Sequence, residues 1–223
     1  MPAPDIITPT QLVRLVGRLS RRRLILAAGR AVPRSALAQP RRVRQDFEAA
    51  ATGSLPPGLS PGLTGGGPSP CWAVVEDLSP PTGPRVLAET RRDRTATRFP
   101  RLVVDGFEFR DVAVSVCFRP IDGGVDQAAG LVARANALED NVRLYRVIDR
   151  QRIRFAGTDV RVPRDRWQAL GLTVRSDRLE VSLDGRVLFA AMDRTFAEAG
   201  RHGVWTKADS LVHFDALDAE ELR

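Results

Sequence analysis

The sequence predicts an all-β protein, an antiparallel β-sandwich preceded by a basic N-terminal segment that is disordered or weakly helical. Two observations in the 223-residue chain support this fold class. After Cys71, apolar residues recur at every second position, which is the period of a strand with one buried face. Asp-Gly and similar turn signals separate these runs, and many short strands at near-regular spacing are typical of a sandwich.

The basic charge of the chain is concentrated at its beginning. Residues 1–45 hold ten arginines and one acidic residue, whereas the whole chain has a net charge of +7, so residues 46–223 are slightly acidic. A nucleic-acid-binding domain carries its basic patch on the fold itself, so we expect no nucleic-acid partner for the folded body. Lys207 is the only lysine, and this arginine bias indicates a GC-rich, bacterial coding background. We therefore predict a basic segment over 1–45 and one domain over 46–223.

The basic segment has the order of a secretory signal. A basic stretch precedes the apolar residues Leu24–Val32, and Ala36–Ala38 has the small-x-small form of a signal-peptidase site. Arg30, Pro33 and Arg34 interrupt this pattern, and charge there opposes insertion. A disordered tail, a misassigned start codon and an amphipathic helix on an acidic surface therefore stay open. We expect a periplasmic or secreted protein, and otherwise a cytoplasmic one.

Composition excludes several classes of protein. No apolar run approaches the roughly 20 residues of a membrane-spanning helix, so we predict no transmembrane segment. Cys71 and Cys117 allow one disulfide at most, which excludes a disulfide-dense scaffold. His202 and His213 are the only histidines, so a zinc site is not predicted. No cofactor is expected, and calcium, which such sandwiches can hold, has no Asp-x-Asp-x-Asp-Gly loop to support it.

The predicted elements follow in order along the body. Residues 53–84 are rich in proline and glycine, which predicts a long loop that leads into the first strand. Asp184-Gly185 lies between two alternating runs and predicts a two-residue hairpin. Brief helical periodicity appears at Thr195–Ala199 and at Ala216–Arg223. The clearest alternating runs are Val112–Phe118, Leu170–Val174 and Leu179–Leu183, and the expected core pieces include Trp72, Trp167 and Phe189.

Seven short runs follow one another in the order Leu63–Gly67, Trp72–Asp77, Gly83–Ala88, Asp126–Val132, Arg134–Asn141, Gly203–Ser210 and His213–Asp215. Together they resemble a bacterial, mostly exported group of concanavalin A-like (laminin G-like) lectin/glucanase domains, related to the 3-keto-disaccharide hydrolase domain group. The resemblance covers about residues 46–218 and implies a jelly-roll sandwich. Sandwiches of this type include lectins, hydrolases and adhesion modules, so the resemblance implies a fold more firmly than a function.

The chain departs from this family pattern at one place. Family members usually have an aromatic-rich stretch between the Gly-Leu-Val and the Arg-Ala-Asn, whereas here Val132 runs almost directly into Arg134. About one strand of ordinary length is missing. The lost aromatic residues are those that would stack on a sugar.

Glu139 and Asp140 are the candidate catalytic residues. Two carboxylates can cleave a glycosidic bond when they lie roughly 5–9 Å apart across the sugar. Adjacent residues on a strand point to opposite faces, but in the turn predicted here the two groups could converge. Solvated carboxylates are also common in turns, so a purely structural role stays open.

The candidate sugar-binding residues are polar groups near two strand ends. Arg134 and Asn136 share a face at two-residue spacing, and Asn141 lies close by in sequence. A second set combines an aromatic ring with polar groups at the same spacing. The alternative is a core tryptophan beside a salt-linked turn. This second set is Trp205, Lys207 and Asp209, and Tyr145 is either a core residue or a wall of the site.

Three functions are consistent with these observations. The first is an exported carbohydrate-recognition module of unknown ligand, with a glycan as its partner. The second is a glycoside hydrolase acting on 3-keto-disaccharides or related sugars, so whether the protein is an enzyme stays open. The third is a structural or protein-interaction module without a small-molecule site, which predicts that there is no concave polar cleft between the two sheets.

Overall fold

Strands alone form the regular structure of the described part of the chain, which the computed structural model gives as residues 39–132, 135–138, 141–148 and 151–223. Residues 135–138 are described by their backbone only. No apolar helix long enough to cross a membrane occurs in these ranges. The strands are β1 (Arg42–Gln45), β2 (Leu59–Gly65), β3 (Trp72–Glu76), β4 (Arg85–Glu89), β5 (Arg98–Phe109), β6 (Val112–Asp122), β7 (Ala128–Val132), β8 (Ala135–Leu138), β9 (Asn141–Ile148), β10 (Gln151–Asp159), β11 (Gln168–Arg175), β12 (Arg178–Leu183), β13 (Arg186–Met192), β14 (Gly200–Thr206) and β15 (Leu211–Glu221).

The strands form two antiparallel sheets. The eight-stranded sheet has the order β13-β12-β11-β6-β15-β4-β3, and β1 also pairs with β15. The seven-stranded sheet has the order β10-β9-β8-β7-β14-β5-β2. The last two strands of the chain, β14 and β15, lie inside different sheets, each between two earlier strands. The chain therefore crosses between the sheets, and the predicted all-β antiparallel sandwich is confirmed.

Alternate side chains of both sheets meet in one core. A fully buried valine, leucine or phenylalanine stabilises the fold by roughly 1.5–3 kcal/mol. Because neighbouring residues of a strand point to opposite faces, this core set also fixes which residues of each sheet face outward. The core includes Val112, Val114, Val116, Phe118, Leu170, Leu172, Val174 and Phe214 from the eight-stranded sheet and Leu102, Val104, Leu131, Val142, Leu144 and Val204 from the seven-stranded sheet.

The three aromatic residues expected in the core differ in how deeply they are buried. Trp72 is 5% exposed and belongs to the core, and Phe189 packs against it while partly buried. The expectation for Trp167 is wrong, because this residue lies half-buried outside the core cluster. The Arg119 guanidinium lies 5.6 Å from the centroid of the Trp167 ring and covers it instead.

The Asp-Gly hairpin predicted from sequence joins β12 and β13. Leu183 pairs with Arg186 across the turn. Asp184 and Gly185 have φ values of 50° and 75°, as a two-residue turn that matches strand twist requires. The prediction is confirmed at residue level.

The long loop predicted over residues 53–84 contains strands, which corrects the prediction. Strand β2 lies inside it and pairs with β5 from Leu59↔Val104 to Gly65↔Arg98. Pro61 is tolerated because β2 is the last strand of its sheet, and an edge strand needs no second set of N–H donors.

The helical periodicity at the end of the chain is also a wrong indication, since residues 211–221 form β15. The register of β15 against β6 shifts between Asp215 and Asp218, and Ala216 has a φ of 49°. This bulge places Phe214 and Leu217 in the core at a spacing of three residues, which mimics a helix in the sequence. The stretch Thr195–Ala199 forms neither helix nor strand.

Residues 42–45, assigned to the N-terminal segment from sequence, form strand β1 of the sandwich. They pair with β15 from Arg42↔Glu220 to Gln45↔Leu217, and Arg42 Nε donates to Asp218 over 2.9 Å. The compact unit that contains both sheets spans Gln39–Arg223. The signal-like pattern and the weakly helical character expected earlier in the chain fall on residues 1–38, outside the described residues.

The two cysteines are free thiols. Cys71 is exposed just before β3, and Cys117 is half-buried in β6. Burial, together with Asp215 and Asp184, raises the pKa of Cys117, which keeps this thiol protonated and a poor nucleophile.

Candidate functional site

A cleft of about 740 Å³ is bordered mostly by residues of the seven-stranded sheet and also by Val112 and Val174 of the eight-stranded sheet. Its lining includes Phe99 and Arg101 from β5, Tyr145 from β9, Arg152 from β10 and Trp205 from β14. On β5, β9 and β14 these residues alternate with the core residues, so they face away from the core, and Arg152 pairs with Val147, which lies on the same face as Tyr145. The segment that leads from β13 into β14 borders the same cleft.

One row of paired residues crosses the seven-stranded sheet and includes the cleft residues Arg101 and Trp205. Gly62 pairs with Arg101, and Arg101 pairs with Trp205. Trp205 in turn pairs with Gly130, and Gly130 pairs with Asn136. Strand β7 therefore brings the Trp205 and Asn136 regions, which are far apart in sequence, to its two sides.

Four residues form an arginine–aromatic cluster in the cleft: Arg152, Tyr145, Trp205 and Phe99. The Arg152 guanidinium carbon lies 3.6 Å from the Tyr145 ring centroid, 5.1 Å from that of Trp205 and 5.3 Å from that of Phe99. The rings of Phe99 and Trp205 are 6.0 Å apart and tilted by 50°. A guanidinium over aromatic faces is an attractive cation–π arrangement.

The cluster forms because the sheet curls. Strands β10 and β5 are five strand spacings apart, which is about 24 Å in a flat sheet. Arg152 on β10 nevertheless approaches Phe99 on β5, so the β9–β10 hairpin bends toward the outward face. The cleft is accordingly the concave face of the seven-stranded sheet.

Three of the cleft arginines, Arg101, Arg110 and Arg152, have no carboxylate partner among the residues that the structure describes. Arg101 is exposed and donates only a long hydrogen bond, 3.4 Å, to Thr64 Oγ1. Nη2 of Arg152 is buried and makes no hydrogen bond. Burial lowers the pKa of Arg152, because a guanidinium loses hydration there. The cleft therefore combines aromatic rings with planar cations that retain unused donors.

His202 lies at another part of the cleft lining. It is 3% exposed, and neither of its ring nitrogens makes a hydrogen bond. Its ring packs edge-on against Phe107, with centroids 6.2 Å apart. Burial lowers the pKa of His202 to about 4, so the ring is neutral at pH 7.

The predicted binding residues of the second set occupy two different environments. Trp205 is 7% exposed and belongs to the arginine–aromatic cluster. Lys207 forms its ion pair with Asp126 and not with Asp209. Asp209 accepts backbone hydrogen bonds from Gly124 and Val125 over 3.0 and 2.9 Å. Lys207 and Asp209 thus hold the turn before β7.

The protonation state of Asp209 follows from these contacts. Burial by itself would raise the pKa of Asp209, but the backbone donors of Val125, Gly124 and Asp126 lower it below its ordinary value. Hydrogen bonding to the charged form outweighs desolvation here, so the carboxylate is ionised at neutral pH.

The first predicted set is described only in part. Asn141 begins β9. Asn136 lies in β8, where it pairs with Gly130 of β7 and with Arg143 of β9. The predicted binding residue Arg134 lies outside the described residues, as do the predicted catalytic residues Glu139 and Asp140.

Sequence reasoning missed three residues of the cleft: Phe99, Arg101 and Arg152. Phe99 and Arg101 alternate with the core residue Leu102 at the spacing of an outward face, and this signal was available in the sequence. Arg152 carried no such signal, because its role depends on the curl of the sheet.

A second ionic group lies outside the cleft, where β3, β6 and β15 meet. Oδ2 of Asp77 lies 2.6 Å from Nδ1 of His213 and 2.5 Å from a guanidinium nitrogen of Arg119. Burial alone would raise the pKa of Asp77, but the hydrogen bond to His213 and the charge of Arg119 lower it. Nowhere in the described ranges do three histidine, cysteine or acidic side chains group as they would around a metal ion.

Comparisons with known proteins give similarities in structure alone. No protein-family model matches the chain, and no curated protein matches its sequence. The carbohydrate-binding module CBM66 from Bacillus subtilis is similar with a TM-score of 0.53 and 17% identity, over 67% of this chain and 95% of that one. A glycoside hydrolase family 16 endo-glucanase from Bacteroides ovatus is similar with a TM-score of 0.55 and 9% identity, over 81% of this chain and 99% of that one. The cellulose-induced protein Cip1 is similar with a TM-score of 0.55 and 12% identity, over 79% of this chain and 96% of that one.

Structural similarity at sequence identities this low establishes the fold but neither a family nor a function. The structural similarity extends over 67%, 81% and 79% of this chain, and this chain has two antiparallel sheets. The chain is therefore a jelly-roll β-sandwich of the concanavalin A-like kind, as the sequence predicts.

Proposed function

We propose that this protein is a carbohydrate-recognition module that binds a glycan in the concave cleft of its seven-stranded sheet. The observation that carries the proposal is the arginine–aromatic cluster of Arg152, Tyr145, Trp205 and Phe99 in that cleft. Ligand sites in proteins are concave and mostly apolar, with a few placed polar groups that fix orientation. Aromatic rings can pack on the apolar face of a sugar, and the arginine donors can bind its oxygens.

The fold neighbours support the same proposal. One of them is named a carbohydrate-binding module and another an endo-glucanase, so sandwiches of this shape are used on carbohydrates. The cleft of about 740 Å³ gives such a ligand a place to bind and in this way supports a recognition module over a purely structural one.

A glycan array followed by isothermal titration tests the proposal. We expect a glycan to bind with a dissociation constant in or below the millimolar range, and Trp205→Ala to weaken that binding at least tenfold, equivalent to about 1.4 kcal/mol. Phe99→Ala, at a less buried position, should weaken it as well. Trp167→Ala is the matched control, because Trp167 lies beside Arg119 of the other sheet.

Two results would contradict the proposal. One is the absence of binding to any glycan on the array at millimolar concentration. The other is unchanged affinity in both Trp205→Ala and Phe99→Ala while circular dichroism shows that both variants are folded.

A glycoside hydrolase of 3-keto-disaccharides is the second proposed function. The sequence resemblance to that domain group supports it, and so does the fold shared with an endo-glucanase. Turnover of a 3-keto-disaccharide that is lost in Glu139→Gln or Asp140→Asn would establish it. Turnover that survives in both variants would remove these residues as the catalytic acids.

We also propose that the protein is exported to the periplasm or beyond. The small-x-small residues Ala36–Ala38 end directly before Gln39, where the compact unit begins. Cleavage there would leave the whole sandwich, including β1, in the mature chain. Mass spectrometry of the cell-produced protein should find Gln39 as its first residue, and a chain that retains residues 1–38 would contradict export by this route.

A further inference from the structure

Of the five arginines that border the cleft, two have a carboxylate partner and three have none among the described residues. Arg146 lies 3.5 Å from a carboxylate oxygen of Asp193, and Arg201 lies 3.3 Å from one of Glu108. Arg101, Arg110 and Arg152 have no such partner within the described chain, and of these only Arg152 belongs to the arginine–aromatic cluster. Their positive charges are therefore left for something that enters the cleft.

The environment of Arg152 makes its unused charge costly. Its guanidinium is stacked 3.6 Å from the ring centroid of Tyr145, which fixes the plane of the group. Its Nη2 is buried without a hydrogen-bond acceptor. A buried charged donor without a partner is unfavourable by more than an ordinary unmade hydrogen bond. An acceptor that brings a negative charge would remove this penalty, whereas a neutral hydroxyl would remove only part of it.

Arg101 provides a second cation on the same face. Its strand partner Trp205 contacts Arg152, whereas the Arg101 side chain itself lies over β2, where Nη1 donates to Thr64 Oγ1 over 3.4 Å. Gly62 lies beside Arg101 on β2, and a Cβ built there would come within 2.6 Å of Arg101 Nε. The glycine therefore leaves the space in which this side chain lies across the sheet.

Resting on the carbohydrate-binding function proposed above, we propose that the ligand is an acidic glycan whose oxyanion is bound by Arg152 and Arg101. The planar fork of arginine matches a carboxylate or a sulfate through two parallel N–H bonds, and such charge-assisted bonds are about twice as strong as neutral ones. The aromatic rings of Tyr145, Trp205 and Phe99 then contact the sugar ring that bears the anion.

Matched pairs of oligosaccharides test the charge requirement with the full chain. Oligogalacturonides and their methyl esters differ in the carboxylate alone, and sulfated and desulfated galactan oligosaccharides differ in the sulfate alone. We expect the charged member of at least one pair to bind at least tenfold more tightly, and the preferred pair identifies the anion. The preference should fall when NaCl is raised from 50 to about 500 mM, because salt screens the attraction.

Variants assign the preference to the two arginines. Arg152→Gln and Arg101→Gln should each reduce the preference for the charged member at least threefold, and Arg152→Lys should restore part of it, since it keeps the charge without the fork. Arg186→Gln is the control of equal charge change, because Arg186 is exposed in β13 of the other sheet. Arg101→Gln keeps the test decisive if Arg152→Gln does not fold.

Three outcomes would overturn the inference. Equal affinity for the charged and neutral members of each pair overturns the requirement for an anion but does not contradict the carbohydrate-recognition function. A charge preference that survives in both arginine variants overturns the inference as well. Failure of every one of these oligosaccharides to bind also overturns the inference. The carbohydrate-recognition function itself is contradicted only if no glycan on the array binds.

Discussion

Arg98 and Glu89 form an ion pair inside the sandwich, with side chains 0% and 1% exposed. Glu89 also accepts the backbone N–H of Cys71 over 2.9 Å, and Arg98 donates to the carbonyl oxygens of Pro68 and Ala208 over 3.0 and 3.3 Å. The pair thus ties β4 and β5 to the segments before β3 and after β14. Such a pair specifies geometry, and removal of one partner leaves a buried charge unpaired.

Glu89→Ala should therefore lower the free energy of unfolding by about 3–5 kcal/mol. The control is Glu180→Ala, which breaks the exposed pair with Arg178 and should cost about 0–1 kcal/mol. Urea unfolding monitored by circular dichroism measures both values. Similar losses in the two variants would show that the buried pair has no special role.

His202 should make the fold less stable in acid. Its pKa is lowered from about 6.5 to about 4 by burial, so between these pH values the unfolded chain binds a proton that the folded chain does not. The corresponding stability is fully present above pH 6.5 and is lost as the pH falls toward 4. His202→Phe, which keeps the packing on Phe107, should remove about 2–3 kcal/mol of the decrease in unfolding free energy between pH 7.5 and 4.5. The same pH dependence in both proteins would contradict this assignment.

At the scale of single residues, the sequence predicted part of the cleft. Trp205 was identified because an aromatic ring with polar neighbours suits sugar recognition. Phe99 and Arg101 were missed although their alternation marks an outward face, and Arg152 was missed because it reaches Trp205 across several strands. Lys207 followed the same local pattern as Trp205 but pairs with Asp126 at the turn before β7.

Individual elements were predictable wherever alternation was unbroken. The runs in β6, β11 and β12 gave the correct faces, and Asp184-Gly185 gave the correct turn. The failures occurred where another factor changed the pattern. A bulge at Ala216 gives the end of β15 a helix-like spacing of apolar residues in the sequence. Pro61 can lie inside β2 because β2 is an edge strand.

The β12–β13 turn offers a test at this scale. Gly185 has a φ of 75° and no neighbouring atom within 4 Å of a built Cβ, so only its backbone conformation disfavours a side chain. Gly185→Ala should cost about 1 kcal/mol in unfolding free energy. Gly200→Ala, where space is equally free and φ is not positive, should change stability by less than about 0.5 kcal/mol. Equal costs at the two sites would mean that the turn conformation is not what requires the glycine.

At the scale of the whole molecule, fold and site depend on different kinds of information. The fold follows from local alternation and turn residues, which a single sequence contains. The cleft depends on how far the β9–β10 hairpin curls over the sheet, because only that curl brings Arg152 to Phe99. No local pattern encodes such curvature, so the chemistry of the cleft became apparent only in the structure.

The central claim is that glycans bind on the concave face of the seven-stranded sheet. The three tryptophans report on three different regions, namely the cleft (Trp205), the core (Trp72) and the side of Arg119 in the other sheet (Trp167). Of the three, Trp205 alone lines the cleft, so its indole NMR resonance should respond to a ligand bound there. Titration with the oligosaccharide that binds most strongly should shift the Trp205 indole resonance saturably and leave that of Trp167 unchanged. A saturable shift of Trp167 with none at Trp205 would contradict the account.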